Sequence, residues 1–74
     1  MKRFFFDYKA KDALLLDYRG QEFTNPAGAF DFAQEMAFGL KHSISVDWNG
    51  WSIEVRATDG EKIFSLPIEC EMAA

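Results

Sequence analysis

Residues 49–68, Asn49-Gly-Trp-Ser-Ile-Glu-Val-Arg-Ala-Thr-Asp-Gly-Glu-Lys-Ile-Phe-Ser-Leu-Pro-Ile68, decide the fold, because they predict a β-hairpin. Apolar and polar residues alternate from Trp51 to Arg56, the period of two expected of a strand with one buried face and one face in water. Asp59-Gly60 supplies residue types that tolerate positive φ at a tight reversal, and the alternation resumes at Phe64. The chain therefore ends in two antiparallel strands.

Pro67 predicts where the last strand lies in the sheet. Proline has no N–H to give to a neighbouring strand, so within sheets it is confined mainly to edge strands. We therefore expect this strand either to lie at an edge, where unpaired backbone groups are open to a partner, or to have its pairing interrupted at Pro67.

Another hairpin, the first along the chain and called the first hairpin below, is predicted near the start of the chain. The segment Arg3 to Tyr8 is rich in aromatic residues and favours a strand, and Ala13 to Asp17 favours its partner. Both strands are apolar on both faces, and we expect Phe5 and Leu15 to point away from the face that carries their apolar neighbours. Strands of this kind need cover on both faces.

Between the hairpins the sequence predicts a short extended connection over residues 21–24 and then a helix from Pro26 to Lys41. Asn25 is a good N-cap, and a proline at the first helical position loses no hydrogen bond. Apolar residues recur at spacings of three and four, which places them on one face: Ala29, Phe30, Ala33, Met36, Ala37 and Leu40. Phe32 and Phe38 fall outside this face and are candidates for a contact surface.

These elements predict an α+β fold, a small ββαββ domain in which one helix packs on one face of an antiparallel sheet of about four strands. We expect residues 1–74 to form a single domain, with an ordered core over about residues 2–68 and a C-terminal tail, 69–74, that frays. The segment Ile44 to Trp48 is compatible with a strand or a loop. We favour a loop that brings Trp48 onto the core.

Length and composition limit how such a domain is stabilised. A chain of 74 residues buries only roughly 60% of the surface that it exposes when unfolded, so small domains commonly depend on disulfides, a metal or a partner subunit. Cys70 and His42 are the only residues of their types and belong to no ligand-spaced cluster, so we expect no cofactor and no metal. With 16% aromatic residues, self-association as a homodimer is the expected support.

Charge and hydropathy exclude several classes of partner. The formal net charge of −4 argues against a nucleic-acid partner, because phosphate binding needs clustered basic residues. No stretch approaches the roughly 20 apolar residues of a membrane span, and Asp7 interrupts the apolar run that follows Lys2 and Arg3 before it could form a signal peptide. One unpaired cysteine fits a reducing cytoplasm.

No catalytic constellation is predicted either. His42 has no nucleophile nearby in sequence. Cys70 stands between two glutamates, whose negative charge disfavours a thiolate. The first hairpin contains three aspartates, Asp7, Asp12 and Asp17. They lack the spacing of a calcium loop and are better explained by the local backbone hydrogen bonds that aspartates form at strand ends and turns.

These landmarks resemble those of a known family. The matching segments are Arg3-Phe-Phe-Phe-Asp7, Asp17-x-x-Gly20 followed by Glu22, the alanine-bearing helix, Gly50-Trp-x-Ile-Glu-Val55 and Leu66-Pro67. They look like a family of small alphaproteobacterial proteins, typical of rhizobia, that is catalogued only as a domain of unknown function. The likeness covers roughly Lys2 to Ile68, and departs in the helix, where phenylalanines stand among the alanines in place of the family's Arg and Glu. The resemblance implies a compact ββαββ domain of the bacterial cytoplasm, with no activity to carry over.

Two functional hypotheses follow. The first is a non-enzymatic interaction or structural module that forms a homodimer by packing of sheet faces or by exchange of a hairpin. Its candidate interaction surface comprises Phe5, Leu15, Phe32, Phe38 and Trp48. The second is a small-molecule binding protein or minor enzyme with a pocket near Trp48 and Trp51, since apolar pockets with a few polar groups are the usual ligand sites. We favour the first.

Overall fold

The computed structural model of the chain describes residues 1–43 and 46–68. Five strands and one helix follow one another along the chain: β1 (Lys2–Lys9), β2 (Leu14–Leu15), β3 (Gln21–Phe23), α1 (Pro26–Lys41), β4 (Trp51–Ala57) and β5 (Lys62–Ile68). The α+β class and the bounds of the helix are confirmed. Residues 46–48 form no strand, as favoured above, whereas residues 44 and 45 and the predicted tail with Cys70 lie outside the described residues.

All strand pairs of the sheet are antiparallel, in the order β2-β1-β4-β5. Strand β5 lies at one edge, as Pro67 predicted. Along the other edge, β2 and β3 pair in succession with the two ends of β1, so that Leu15 lies opposite Tyr8 and Phe23 lies opposite Lys2. The connection predicted over residues 21–24 is therefore largely a strand, and the sheet has five strands where we expected about four.

The core lies between the sheet and one face of α1. Three alanines of the helix are fully or almost fully buried, and their small side chains let the helix lie close to the sheet: Ala29, Ala33 and Ala37. They face large buried side chains of β1, β4 and β5: Phe4, Phe6, Ile53, Val55 and Ile68. Burying each of these large side chains contributes about 1.5–3 kcal/mol to folding.

Both ends of the helix follow from local chemistry. The Asn25 side chain accepts a hydrogen bond from the backbone N–H of Gly28 at 3.1 Å, and Pro26 occupies the first turn, as the sequence predicted. At the other end the N–H of Ser43 donates to the carbonyl of Leu40 at 3.0 Å, which satisfies one of the last helical carbonyls.

The orientation predicted for Leu15 is wrong. Leu15 lies opposite Tyr8 across β1 and β2, and directly opposed residues of antiparallel strands share a face. Tyr8 is on the helix side of the sheet with Phe6, so Leu15 is there too, whereas Phe5 lies on the other face. Three consecutive leucines carry no alternation that would fix which of them points inward, and β2 is only two residues long instead of the predicted Ala13 to Asp17.

The outer face of the sheet is covered mainly by polar groups of the chain itself. The guanidinium of Arg56 lies 4.7 Å from the centre of the Phe5 ring, and Gly20 approaches the same ring from the loop before β3. Further along this face, Glu54 accepts hydrogen bonds from the hydroxyls of Ser52 and Ser65. Phe5 therefore has cover within its own chain.

Gly20→Ala should destabilise the domain for two separable reasons. Gly20 has φ +75°, which an L-residue adopts at a cost of about 1–2 kcal/mol, and an added Cβ would stand 2.9 Å from the carbonyl oxygen of Phe4. Gly50→Ala is the control for φ alone, since Gly50 has φ +85° and open space around it. In urea titrations the free energy of unfolding should fall more for Gly20→Ala than for Gly50→Ala. Equal losses would contradict a clash between the added Cβ and the carbonyl oxygen of Phe4.

Candidate interaction surface

The loop of residues 16–20 leaves the sheet between β2 and β3, and Asp17 holds it against β1. One carboxylate oxygen of Asp17 accepts from the backbone N–H of Phe6 at 3.1 Å. The other accepts from the N–H of Arg19 at 3.0 Å and of Gly20 at 3.2 Å. The carboxylate thus takes the place that a carbonyl of a neighbouring strand would have, at the point on β1 where neither β2 nor β3 pairs.

Asp7 and Arg56 complete this network from the outer face of the sheet. Asp7 accepts from the N–H of Asp17 at 2.8 Å and from Nε of Arg56 at 2.7 Å. Arg56 also donates from Nη2 to the carbonyl of Asp17 at 3.0 Å. The Asp7 side chain is only 6% exposed, so its charge is buried together with its donors. We call Asp7, Asp17 and Arg56 the anchor.

The environment of Asp17 lowers the pKa of its carboxyl below the ordinary aspartate value. Partial burial acts to raise this pKa, but the backbone N–H groups of Phe6, Arg19 and Gly20 and the charge of Arg56 outweigh it. The pKa of Tyr8 is raised, first by burial and then by the negative charge of Asp17. The Tyr8 phenol therefore stays protonated near neutral pH.

An open concavity of about 350 Å³ lies on the helix side of the anchor, between α1 and the first hairpin. We call it the groove. Its lining is mostly aromatic and aliphatic, with polar groups from Tyr8, Asp17 and Gln21: Phe6, Tyr8, Leu15, Leu16, Asp17, Gln21, Phe32 and Met36. Since it is apolar and open to solvent, it suits an apolar side chain or a small apolar molecule.

One wall of the groove continues into an exposed apolar ridge. Leu14, Leu15 and Leu16 are 53%, 52% and 44% exposed and follow one another at the edge of the sheet. Leu15 and Leu16 line the groove, whereas Leu14 lies opposite Lys9 on the outer face of the sheet. We call these three residues the leucine ridge. Single exposed apolar residues are common on protein surfaces, but contiguous ones beside an apolar concavity are typical of contact sites.

The opposite wall is the flank of α1, beyond which the helix becomes acidic. Asp31 and Glu35 are exposed one helical turn apart and border a shallow depression together with Phe38. We call Asp31 and Glu35 the acidic rim. Phe38 is 63% exposed, and its ring packs on the ring of His42, with 4.4 Å between the centroids.

The structure brings together some of the residues predicted to form an interaction surface. Leu15 and Phe32 line the same groove, and Phe38 lies on the outer face of the same helix. Trp48 packs on Tyr8, with 5.5 Å between ring centroids, and therefore lies next to the groove. Phe5 is the exception, because it lies on the other face of the sheet.

Several groove residues were missed or given other roles by sequence reasoning. Tyr8 was read only as part of a strand, and Met36 only as part of the helix's core face. Leu16 and Gln21 carried no signal, because their position depends on where the loop leaves the sheet. Near the predicted tryptophan pocket, Trp48 packs edge-on against Trp51, 5.4 Å between centroids, and on Tyr8, which is part of the groove lining.

The acidic side chains of the described residues form no cluster around a common centre. Within residues 1–43 and 46–68, no group of three or more His, Cys, Asp or Glu side chains is placed to hold a metal ion. Asp7 and Asp17 already accept hydrogen bonds within the anchor, and His42 packs on Phe38. No helix of the described part is long and apolar enough to cross a membrane.

The fold and this surface define a small α+β domain with one helix on one face of an antiparallel sheet. The family model described as Domain of unknown function (DUF6894) matches residues 3–69, and the chain belongs to that family. No curated protein and no solved structure matches the chain.

Removing the arginine of the anchor should cost a large part of the stability of so small a domain. Arg56→Met leaves the buried charge of Asp7 without its ionic partner, which typically costs about 3 kcal/mol. Arg56→Lys keeps the charge but loses one of two donors, so an intermediate loss is expected. The measurement is the free energy of unfolding from urea titrations at pH 7.

The matched control is Glu22→Gln, which removes an exposed ion pair. Arg3 and Glu22 lie 3.2 Å apart with side chains 41% and 50% exposed, and pairs of this kind contribute below about 1 kcal/mol. An Arg56→Met loss no larger than that of Glu22→Gln would contradict the role of the anchor.

The pKa of Asp17 also predicts how stability changes with pH. Because its pKa is lower in the folded than in the unfolded chain, its contribution is complete above the unfolded value of about 3.9 and is lost as the pH falls through the folded value. Wild-type protein should therefore lose stability below about pH 4. In Asp17→Asn the domain should be less stable at pH 7 and its stability should change less between pH 5 and pH 3. Parallel pH profiles for the two proteins would contradict this origin.

Proposed function

We propose that this protein is a non-enzymatic protein-interaction module that associates with itself, and that the leucine ridge and the groove form its contact surface. The observation that carries the proposal is the exposure of three consecutive leucines, each about half exposed, of which Leu15 and Leu16 line an apolar groove. Covering the exposed half of one leucine contributes about 1 kcal/mol. An interface that covers the whole ridge therefore gains several times that amount.

The surface favours association of intact chains over the two modes considered from sequence. Packing of sheet faces has little support, because the outer face carries Glu54, Lys62 and the covered Phe5. Exchange of the first hairpin between chains would restore the contacts of Asp7 and Asp17 with Arg56 between two copies, but it would first require β1 to separate from β4. The ridge and groove are accessible without either change.

The cell compartment belongs to the same proposal. We place the protein in the cytoplasm of a bacterium, specifically an alphaproteobacterium of the rhizobial type. The support is the resemblance of the segments Arg3-Phe-Phe-Phe-Asp7 and Gly50-Trp-x-Ile-Glu-Val55 to that group, together with a single cysteine and an acidic net charge.

Leu15→Glu should convert the dimer to monomer. The substitution places a charge in the centre of the ridge, where the partner would have to desolvate it, and dimerisation should weaken about tenfold or more. Size-exclusion chromatography with light scattering, from low to high micromolar protein, measures this directly. Circular dichroism checks that the variant remains folded.

Val46→Glu is the matched control, because Val46 is 49% exposed and is not part of the ridge or the groove lining. It should leave the dimer unchanged. A wild-type protein that is monomeric at every concentration contradicts self-association, and equal weakening by the two variants contradicts the choice of surface.

The groove also supports a second candidate function, the binding of a small apolar ligand. A volume of about 350 Å³ lies at the small end of ligand sites, and the groups of Tyr8 and Gln21 offer orienting hydrogen bonds. A thermal-shift screen of apolar metabolites tests this function. A hit that Leu15→Glu abolishes would support it, whereas silence across the screen would leave only the protein-interaction function.

A further inference from the structure

We infer that Pro67 and a β-bulge at Ile63 close the outer edge of β5 to the addition of another strand. An edge strand usually presents a row of unpaired N–H and C=O groups to any strand that approaches it. β5 has seven residues and, among the described residues, no strand on its outer side. This inference concerns a different surface from the self-association proposed above and does not depend on it.

The hydrogen bonds of β4 determine which backbone groups of the C-terminal hairpin point inward. The N–H of Ala57 donates to the carbonyl of Glu61 at 2.8 Å, so Ala57 directs its backbone groups toward β5. Successive residues of a strand direct these groups to alternate sides. Because the pairing of β4 with β1 is regular throughout, Ile53 and Val55 also direct theirs toward β5.

The partners of these two residues in β5 are Leu66 and Phe64. Their backbone groups therefore point back to β4, whereas those of Ser65 and Pro67 point to the open edge. Ser65 presents both an N–H and a C=O there, but Pro67 presents only a C=O because proline has no N–H. A strand that paired with this edge would find no donor at Pro67.

The bulge interrupts the edge on the other side of Ser65. Arg56 of β4 lies opposite Lys62 in β5. The preceding residue of β4 lies opposite Phe64, so Ile63 is an extra residue. An extra residue breaks the two-residue spacing of the outward groups and increases the local twist, which prevents a straight strand from pairing in register. Between the bulge and the proline, only Ser65 presents a complete donor and acceptor pair to the edge.

Packing against the core does not account for Pro67. Its side chain is exposed on the outer face of the sheet, opposite Ser52. The residues on either side, Leu66 and Ile68, are the ones that contact the core. A β-branched residue fits an exposed strand position well. Proline at this position is therefore explained by the donor that it lacks.

Pro67→Thr tests the inference because it restores the missing N–H. The variant should pair with a second copy along β5, and its mean mass at high micromolar protein should rise about twofold or more above that of wild type. Analytical ultracentrifugation measures this mass. Pro67→Ala restores the same donor with a smaller side chain and should give the same rise. Circular dichroism checks that both variants are folded.

Ser65→Thr is the matched control. It adds the same β-branched residue to the same edge and keeps the hydroxyl that donates to Glu54. Because it adds no backbone donor, its mean mass should equal that of wild type.

Hydrogen exchange locates the new contact. If strands pair along β5, the N–H of Ser65 gains an acceptor, so its exchange in Pro67→Thr should slow by about tenfold or more as the protein concentration rises. In wild type the exchange of this amide should not depend on concentration.

The outcomes separate this inference from the proposed self-association. Wild-type mass at every concentration for both Pro67→Thr and Pro67→Ala overturns the inference. So does a gain in mass without protection of the Ser65 amide, or an equal gain in Ser65→Thr. A wild-type chain that stays monomeric overturns the proposed self-association and leaves the closed edge standing, because each variant is compared with wild type.

Discussion

The fold depends on how the backbone of β1 is satisfied at Phe6. β1 is the strand with the most partners, and along its outer edge β2 and β3 pair with its two ends but leave Phe6 between them. A backbone N–H at such a gap needs an acceptor, because an unpaired one in a buried setting costs about 1–3 kcal/mol. Asp17 supplies that acceptor. The loop that carries Asp17 is in turn positioned by Asp7 and Arg56.

The hydrogen bond between Asp17 and the N–H of Phe6 also determines which leucines are exposed. Because the chain must turn at Asp17 to reach Phe6, β2 ends after Leu15 and cannot continue along β1. A longer β2 would extend the edge of the sheet and change which leucines face the helix. The short strand instead leaves three leucines about half exposed at the edge of the sheet, and two of them, Leu15 and Leu16, line the groove. The exposure of these leucines is thus a product of a polar interaction on the edge of the sheet.

Sequence patterns predicted the elements whose signals are local. The helix bounds follow from Asn25 and Pro26 and from alanines spaced along one face. The C-terminal hairpin of β4 and β5 follows from the strict alternation of apolar and polar residues on either side of Asp59 and Gly60. Gly60 has φ +91°, as a tight reversal requires. Pro67 predicted the edge position of β5. Each of these signals is contained within a few residues of the feature that it determines.

Features that depend on distant residues were not predictable in this way. Leu15 faces the helix because it pairs with Tyr8. The sequence alone does not determine this, because a run of three leucines is compatible with Leu15 facing the helix or with Leu14 and Leu16 facing it. The pairing of β3 depends on only three residues, too few for a periodic signal. The anchor joins Asp7 to Arg56, which are 49 residues apart. The groove was missed for the same reason, because its lining comes from β1, the first hairpin loop and α1.

From the separation between Asp7 and Arg56 we expect an order of events in folding. The C-terminal hairpin and the helix contain mostly local contacts, whose loop-closure entropy is small, so these elements can form early. β1 pairs with β4 only after a loop of more than forty residues has closed, and Arg56 reaches Asp7 only in that paired state. The loop that shapes the leucine ridge therefore acquires its partners late in folding. The leucine ridge therefore takes its final form only in chains whose sheet is already assembled.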